Sequence, residues 1–160
     1  MRGLRRTLWV ALPVFLLDQV TKWLVVEWAD LKTVGAIDVL SPYLNFRMAW
    51  NRGVNFGLLN LGDEGGQYVL VVLSLVLVAA LLIWLRGTVY WRTSLAAGLV
   101  VGGALGNVID RLQYGAVADF LNMSCCGLNN PFSFNVADIA IFVGVVGLIL
   151  FGDGKPVEET

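Results

Sequence analysis

Hydrophobic positions in this chain gather into four long blocks. They run from about Thr7 to Val26, Gln67 to Leu85, Ser94 to Leu112 and Val136 to Phe151. Each approaches the roughly 20 apolar residues that a helix needs to cross a bilayer core. The second is the purest, with no charge between Val69 and Leu85. The pattern predicts a mainly helical membrane protein with four transmembrane helices. Between the first two blocks lies an insert of about 40 residues, Glu27 to Gly66, too long for a turn. Within it Leu44, Phe46, Met48 and Trp50 alternate with Asn45, Arg47 and Ala49, a period of two that predicts a half-buried strand. Such a strand fits two arrangements equally. Either it serves the outer surface, lying on the bilayer or cradling an extended peptide through its edge, or it belongs to a small cap sheet packed on the helices.

Composition supports the membrane reading and narrows the chemistry. The chain has 160 residues, of which 58% are hydrophobic and 14% charged. Soluble domains use roughly 45–50% apolar residues. The length suits one domain, residues 1–160. There is no histidine. That excludes a Ser-His-Asp triad, a Cys-His dyad and an HExxH zinc site. Neither a metal nor a cofactor is expected. Lys plus Arg number 11 and Asp plus Glu 12, a net charge of −1 without basic blocks, so nucleic acid is not an expected partner. Cys125 and Cys126 are adjacent, poorly placed for a disulfide and too few for a metal cage. They read as a tolerated pair in a loop.

Charge asymmetry sets an orientation. Arg2, Arg5 and Arg6 precede the first block, Arg86 and Arg92 flank the loop between the second and third, and Lys155 follows the fourth. The positive-inside rule places both termini and that loop in the cytoplasm. The insert after the first block and the loop after the third then face outward. Trp23, Trp28, Tyr68, Trp84, Tyr90 and Trp91 lie near the block ends, where interfacial aromatics belong. The N-terminus imitates a cleavable signal peptide, but Asp18, Gln19 and Lys22 occupy the place of a small-residue cleavage site. We expect it to remain as a span.

Polar residues within such blocks are costly, roughly 2.5–3.5 kcal/mol for a charge at the bilayer centre, and usually face the bundle interior. Asp18 and Lys22 share a helix face at i, i+4 and can pair. A self-contained pair that fixes the bundle is favoured over a proton relay. Asn107, Asp110 and Arg111 share a face of the third block. Upstream, Gly98, Gly102 and Gly106 recur every fourth residue, which allows close backbone approach and predicts a central helix. Gly115 is a natural terminator for it.

Two further acids stand at the outer edge. Asp119 lies in Val117-Ala118-Asp119-Phe120, and Asp138 in Phe134-Asn135-Val136-Ala137-Asp138, where Asn135 can cap the fourth helix. The two therefore enter the membrane's outer edge from opposite ends of one loop. Two close carboxylates cannot both ionise cheaply, so they share a proton. The ionised member can activate water while the other protonates a carbonyl oxygen, as in aspartic proteases. Carboxylate pairs also bind cations and carry protons, and spacing alone does not decide among these.

The motifs together resemble a known family. Asp18-Gln19-Val20-Thr21-Lys22, Asn51-Arg52-Gly53-Val54-Asn55-Phe56-Gly57, the run from Gly102 to Arg111, and the segments holding Asp119 and Asp138 occur in that order. They are similar to the five sequence blocks of lipoprotein signal peptidase, signal peptidase II. The resemblance covers nearly the whole chain. It implies an aspartic endopeptidase of the bacterial inner membrane that cuts diacylglyceryl-modified prolipoproteins before the lipidated lipobox cysteine. It implies Asp119 and Asp138 as catalytic dyad, and Asn51, Asn107, Arg111 and Asn135 as residues orienting dyad or substrate. Asp18, Lys22 and Asp110 match structural positions. It further implies a periplasmic β-cradle, a short interfacial helix between spans one and two, membrane lipid as a partner, and the cyclic peptide globomycin as inhibitor. A monomer would suffice. The family more often has a small residue where Asn55 stands, and the loop from Asn122 to Pro131 matches none of its blocks.

Two other readings remain at this point. A small proton-coupled transporter would use Asp119 and Asp138 for exchange, although transporter sites usually lie at the midplane and no inverted repeat is visible. A Ser-Lys peptidase would pair Lys22 with Ser133 or Ser124, although Asp18 should hold Lys22 protonated.

Overall fold

The structure is a computed structural model and describes residues 2–53, 62–87, 90–125, 127 and 130–152. Asn55, Cys126 and Lys155 lie outside the described residues. Helix α1, Arg2–Lys22, continues into a π-helical turn, Trp23–Trp28. A one-turn helix α2, Leu31–Val34, leads into strands β1, Ala36–Leu40, and β2, Leu44–Asn51. Helix α3, Gly62–Trp84, ends in a 3-10 turn, Leu85–Gly87, before α4, Trp91–Tyr114. Strand β3, Val117–Asn122, and helix α5, Val136–Phe151, complete the order.

Three helical stretches, Arg2–Trp28, Gly65–Gly87 and Trp91–Tyr114, are long and apolar enough to cross a membrane. Val136–Phe151 is apolar but has only 16 residues. Burial is inverted relative to a soluble bundle. Trp9, Phe142 and Ile149 are more than two-thirds exposed, whereas Asp18, Lys22, Asn107 and Asp110 are buried. Apolar side chains outside and polar ones inside are what a lipid solvent selects.

Helix α4 is the centre, as its glycines predict. A Cβ on Gly102 would stand 2.5 Å from the Ala11 carbonyl oxygen of α1, and one on Gly103 2.5 Å from that of Ala137 on α5. Gly144 of α5 meets the Ala96 carbonyl of α4 in the same way. Small residues thus let both neighbours approach α4 at backbone distance, the main packing device where lipid supplies no hydrophobic drive. Thr7 adds a hydrogen bond from Oγ1 to the Ser94 carbonyl at 3.2 Å. Gly115 ends α4 in the left-handed region, φ 74°, with its N–H donating to the Arg111 carbonyl.

One end of the bundle carries a three-stranded antiparallel sheet in the order β1-β2-β3. The predicted strand therefore belongs to a small sheet, whose third strand comes from the loop after α4. The alternation along β2 does not persist over its length. Phe46 and Met48 pack on a core of Val26, Leu31, Ala118 and Phe120, whereas Trp50 is 40% exposed and its ring lies 5.3 Å from that of Tyr114. The register with β3 shifts between Phe46 and Ala49, and such an irregularity re-aims side chains. Helix α2, the only helix among the described residues between α1 and α3, buries Leu31 completely beneath the sheet.

Candidate active site

Asp119 sits on β3, paired in register with Ala49 of β2. The left-handed turn at Gly115 directs the chain from α4 straight into this strand, beyond the end of the helix. Asp119 is only 3% exposed, yet both its oxygens are partnered. Asn51 Nδ2 donates to Oδ2 at 3.1 Å and Asn135 Nδ2 to Oδ1 at 2.7 Å. Asp138 is half-buried in the first turn of α5. Its backbone N–H donates to Asn135 Oδ1 at 2.9 Å, and its Oδ1 accepts from Asn107 Nδ2 at 2.9 Å. Asn135 Nδ2 also reaches Asn107 Oδ1 at 3.3 Å. Two carboxamides therefore join the carboxylates in one chain, Asp119–Asn135–Asn107–Asp138. Asn135 is more than the helix cap that its position suggests: its oxygen caps α5 while its nitrogen holds Asp119.

This environment raises the Asp119 pKa to about 7. Burial is the first cause and the negative field of Asp138 the second, while the hydrogen bonds from Asn51 and Asn135 oppose them. The pair consequently holds a proton at pH values where an ordinary carboxyl has lost its own.

Beneath the pair lies a buried ion cluster. Lys22 Nζ contacts Asp18 Oδ2 at 2.8 Å, Asp110 Oδ2 at 2.7 Å and Asn107 Oδ1 at 3.3 Å. The expectation of a self-contained Asp18–Lys22 pair is thus corrected. An ammonium has three protons, and in a buried site each needs an acceptor. Gln19 Nε2, to which the sequence assigned no role, bridges Asp18 and Asp110 at 3.2 and 3.3 Å. Both carboxylates then reach towards the site. Asp110 Oδ2 accepts the Ala118 N–H at 3.0 Å, and Asp18 Oδ1 accepts the Ala137 N–H at 2.9 Å. Each supporting acid holds the backbone just before one acid of the pair.

Arg111 Nη1 donates to the Asn107 carbonyl at 3.2 Å, but its buried Nε has no partner among the described residues. Asp110, Asp138 and Asp119 are all within Coulombic reach of its charge. Asn107 and Arg111 also close one end of a groove of about 340 Å³ between α3, α4 and α5, walled by Leu77, Val100 and Ile141. All nine residues singled out from the sequence are thereby placed, and the contacts link them into one network. The Ser-Lys alternative does not survive. Ser133 Oγ donates to the Arg47 carbonyl, Ser124 Oγ accepts from the Asn130 N–H, and the ammonium of Lys22 is held by two carboxylates. Among the described residues no group of three His, Cys, Asp or Glu side chains has the arrangement of a metal site.

Comparison with known proteins points one way. Residues 10–152 match the family model described as signal peptidase (SPase) II. The chain is 42% identical over 150 residues to a lipoprotein signal peptidase of Methylorubrum extorquens (strain PA1), covering 94% of this chain and 86% of that protein. A lipoprotein signal peptidase of Shewanella sediminis (strain HAW-EB3) is 40% identical, with the same coverage of 94% and 86%. A solved structure described as a bacterial membrane enzyme superposes with a TM-score of 0.76 at 28% identity, covering 92% of this chain and 94% of that one.

Proposed function

The chain belongs to the signal peptidase II family, and from that premise we propose that Asp119 and Asp138 form the hydrolytic centre of an aspartic endopeptidase. The protein is a protease that removes signal peptides from prolipoproteins, and the transporter reading has no support. The observation that carries the mechanistic proposal is the Asp119–Asn135–Asn107–Asp138 chain, with one acid raised to about 7. The ionised acid takes a proton from water, and the resulting hydroxide forms a bond to the scissile carbonyl carbon. The protonated acid gives its proton to the carbonyl oxygen. The tetrahedral intermediate then collapses: the C–N bond breaks, the leaving amine takes the proton gained from water, and one hydroxyl of the intermediate returns its proton to the acid that had given one. Proton transfers of this kind need neither metal nor cofactor. Asn51 and Asn135 hold Asp119, Asn107 holds Asp138, and Arg111, whose Nε has no partner among the described residues, binds a substrate oxygen in this reading.

The whole chain, residues 1–160, acts as one domain of four spans with both termini in the cytoplasm. The arginines before α1 and around the α3–α4 loop favour that orientation. At 1.5 Å per residue α5 reaches about 24 Å, which suits a span that begins inside a cap at the outer interface. The sheet and the acid pair then lie near the periplasmic face of the inner membrane. A signal peptide is an apolar helix, so its cut site emerges there. The groove between α3, α4 and α5 would let a diacylglyceryl group stay among lipid-facing helices while Asn107 and Arg111 meet the peptide. A cyclic peptide such as globomycin would inhibit by occupying the same space, and a monomer carries a complete site.

Reconstitution with a diacylglyceryl-modified prolipoprotein tests this. Asp119→Asn and Asp138→Asn should each lower kcat by about 10²-fold or more. Normal turnover by either variant refutes the assignment. A substrate with Ser in place of the lipobox Cys, which cannot carry the lipid, should not be cut.

A further inference from the structure

A second cavity, of about 470 Å³, lies along the sheet, in the size range of ligand clefts at roughly 300–1,000 Å³. It begins at Ala49, the strand partner of Asp119, and runs along β2 to Asn45. At its far end stand Ser41, Asn122 and Asn130, and Ser133 forms part of its wall. The lining is mostly amide and hydroxyl groups.

Two features mark it as a built site. Asn45 is 5% exposed and its Oδ1 has no partner among the described residues, although its Nδ2 donates to the Pro42 carbonyl at 3.3 Å. A buried amide oxygen without a donor is costly, and here it borders a cavity. The wall is also tied down. Asn122 Nδ2 donates to the carbonyls of Asn130 and Phe132 at 2.8 and 2.9 Å, and Asn130 N–H donates to Ser124 Oγ at 3.0 Å. Asn122, Ser124 and Asn130 belong to the loop that matches no block of the family, and these hydrogen bonds fix them as the side of a trough.

We propose that this trough is the subsite for the residues that follow the cut, the first part of the mature chain, held extended across the sheet. The inference rests on the peptidase reading above. The signal-peptide side of the bond is an apolar helix and belongs to the bilayer. The mature side leads into water and suits a polar trough. The distance fits: from Ala49 to Asn45 is about 13 Å at roughly 3.3 Å per strand residue, enough for about four extended residues. Strand addition to β2 is not available, since β1 and β3 occupy both its edges. Recognition therefore falls to side chains, with Asn45 Oδ1 accepting a substrate N–H.

The test compares two lipid-modified substrates, one with its natural mature segment and one truncated two residues after the lipidated cysteine. The parent enzyme should favour the long substrate in kcat/KM by about fivefold or more, mainly through KM, as expected for a few added hydrogen bonds. In Asn45→Leu the long-to-short ratio should fall towards one, and this ratio is independent of the folded fraction. On the parent alone, Trp at the third residue after the cut should raise KM. Equal kcat/KM for long and short substrates in the parent overturns the trough while leaving the peptidase reading intact. No cleavage of either substrate overturns both.

Discussion

Asp18 Oδ1 accepts the backbone N–H of Ala137 at 2.9 Å, joining the first helix to the start of the last across 119 residues of sequence. Asp110 does the same for Ala118 at 3.0 Å. Lys22 holds both carboxylates. One buried ammonium thus couples the two backbone segments that present Asp119 and Asp138.

Lys22→Met should leave two buried carboxylates without their cation. Breaking a buried pair in this way typically costs about 3–5 kcal/mol. Thermal unfolding in detergent should show a Tm well below that of the parent. An unchanged Tm would show that the cluster contributes nothing to the fold.

Asn135→Ala removes the cap of α5 and the strongest hydrogen bond to Asp119 together. Loss of a cap costs about 1 kcal/mol. The fall in kcat should exceed what lost folded protein explains. The missing bond favoured ionised Asp119, so the alkaline limb of the pH profile should also move upward. Asn51→Ala should move it the same way. A profile unmoved in both variants would disconnect the amides from the acid pair.

The raised pKa of Asp119 gives a signed pH dependence. Its ordinary value is 3.8 and its folded value about 7, so in that window the folded chain binds more protons than the unfolded one. Stability from this group is full below about pH 4 and is lost as pH rises through about 7. Activity that needs one proton on the pair should decline above the same point. Asp138→Asn removes the opposing negative field and should lower the Asp119 pKa, which a carboxyl chemical-shift titration can follow. A value unchanged in that variant would deny the coupling.

Glycines in the bundle should separate into two classes. Gly102→Leu forces a side chain against the Ala11 carbonyl, and overpacking of this kind costs about 1–3 kcal/mol or more. Gly66→Ala meets nothing within 4 Å in α3 and should stabilise by about 0.5–1 kcal/mol through helix propensity. Equal Tm shifts for the two would contradict the packing of α4 against α1.

Much of the site was legible in sequence because its residues are chemically conspicuous there. Asp119, Asp138, Asn107 and Lys22 stand out as polar groups beside or within apolar blocks, where each needs a reason. Asn135 was recognisable as a cap from its place before an apolar run. Their pairings were not legible. Lys22 and Asn107 are 85 residues apart, so nothing local could show that Lys22 serves α4 as well as α1. Gln19 read only as a residue standing where a small-residue cleavage site would be, for the same reason. Strand β3 was missed because Val117 to Asn122 has no partner nearby in sequence and pairs with β2, far upstream.

The sequence by itself determined the lipid-facing architecture, the central place of α4 and the two acids at one edge. Hydrophobic blocks, glycine spacing and turn residues act locally or along one helix, so one dimension suffices to read them. Only the tertiary structure decided that two carboxamides join the acids, that one lysine braces the backbone before each, and that a sheet spanning two loops lines the site. Those relationships depend on which helix faces meet, and that follows from packing the whole bundle at once.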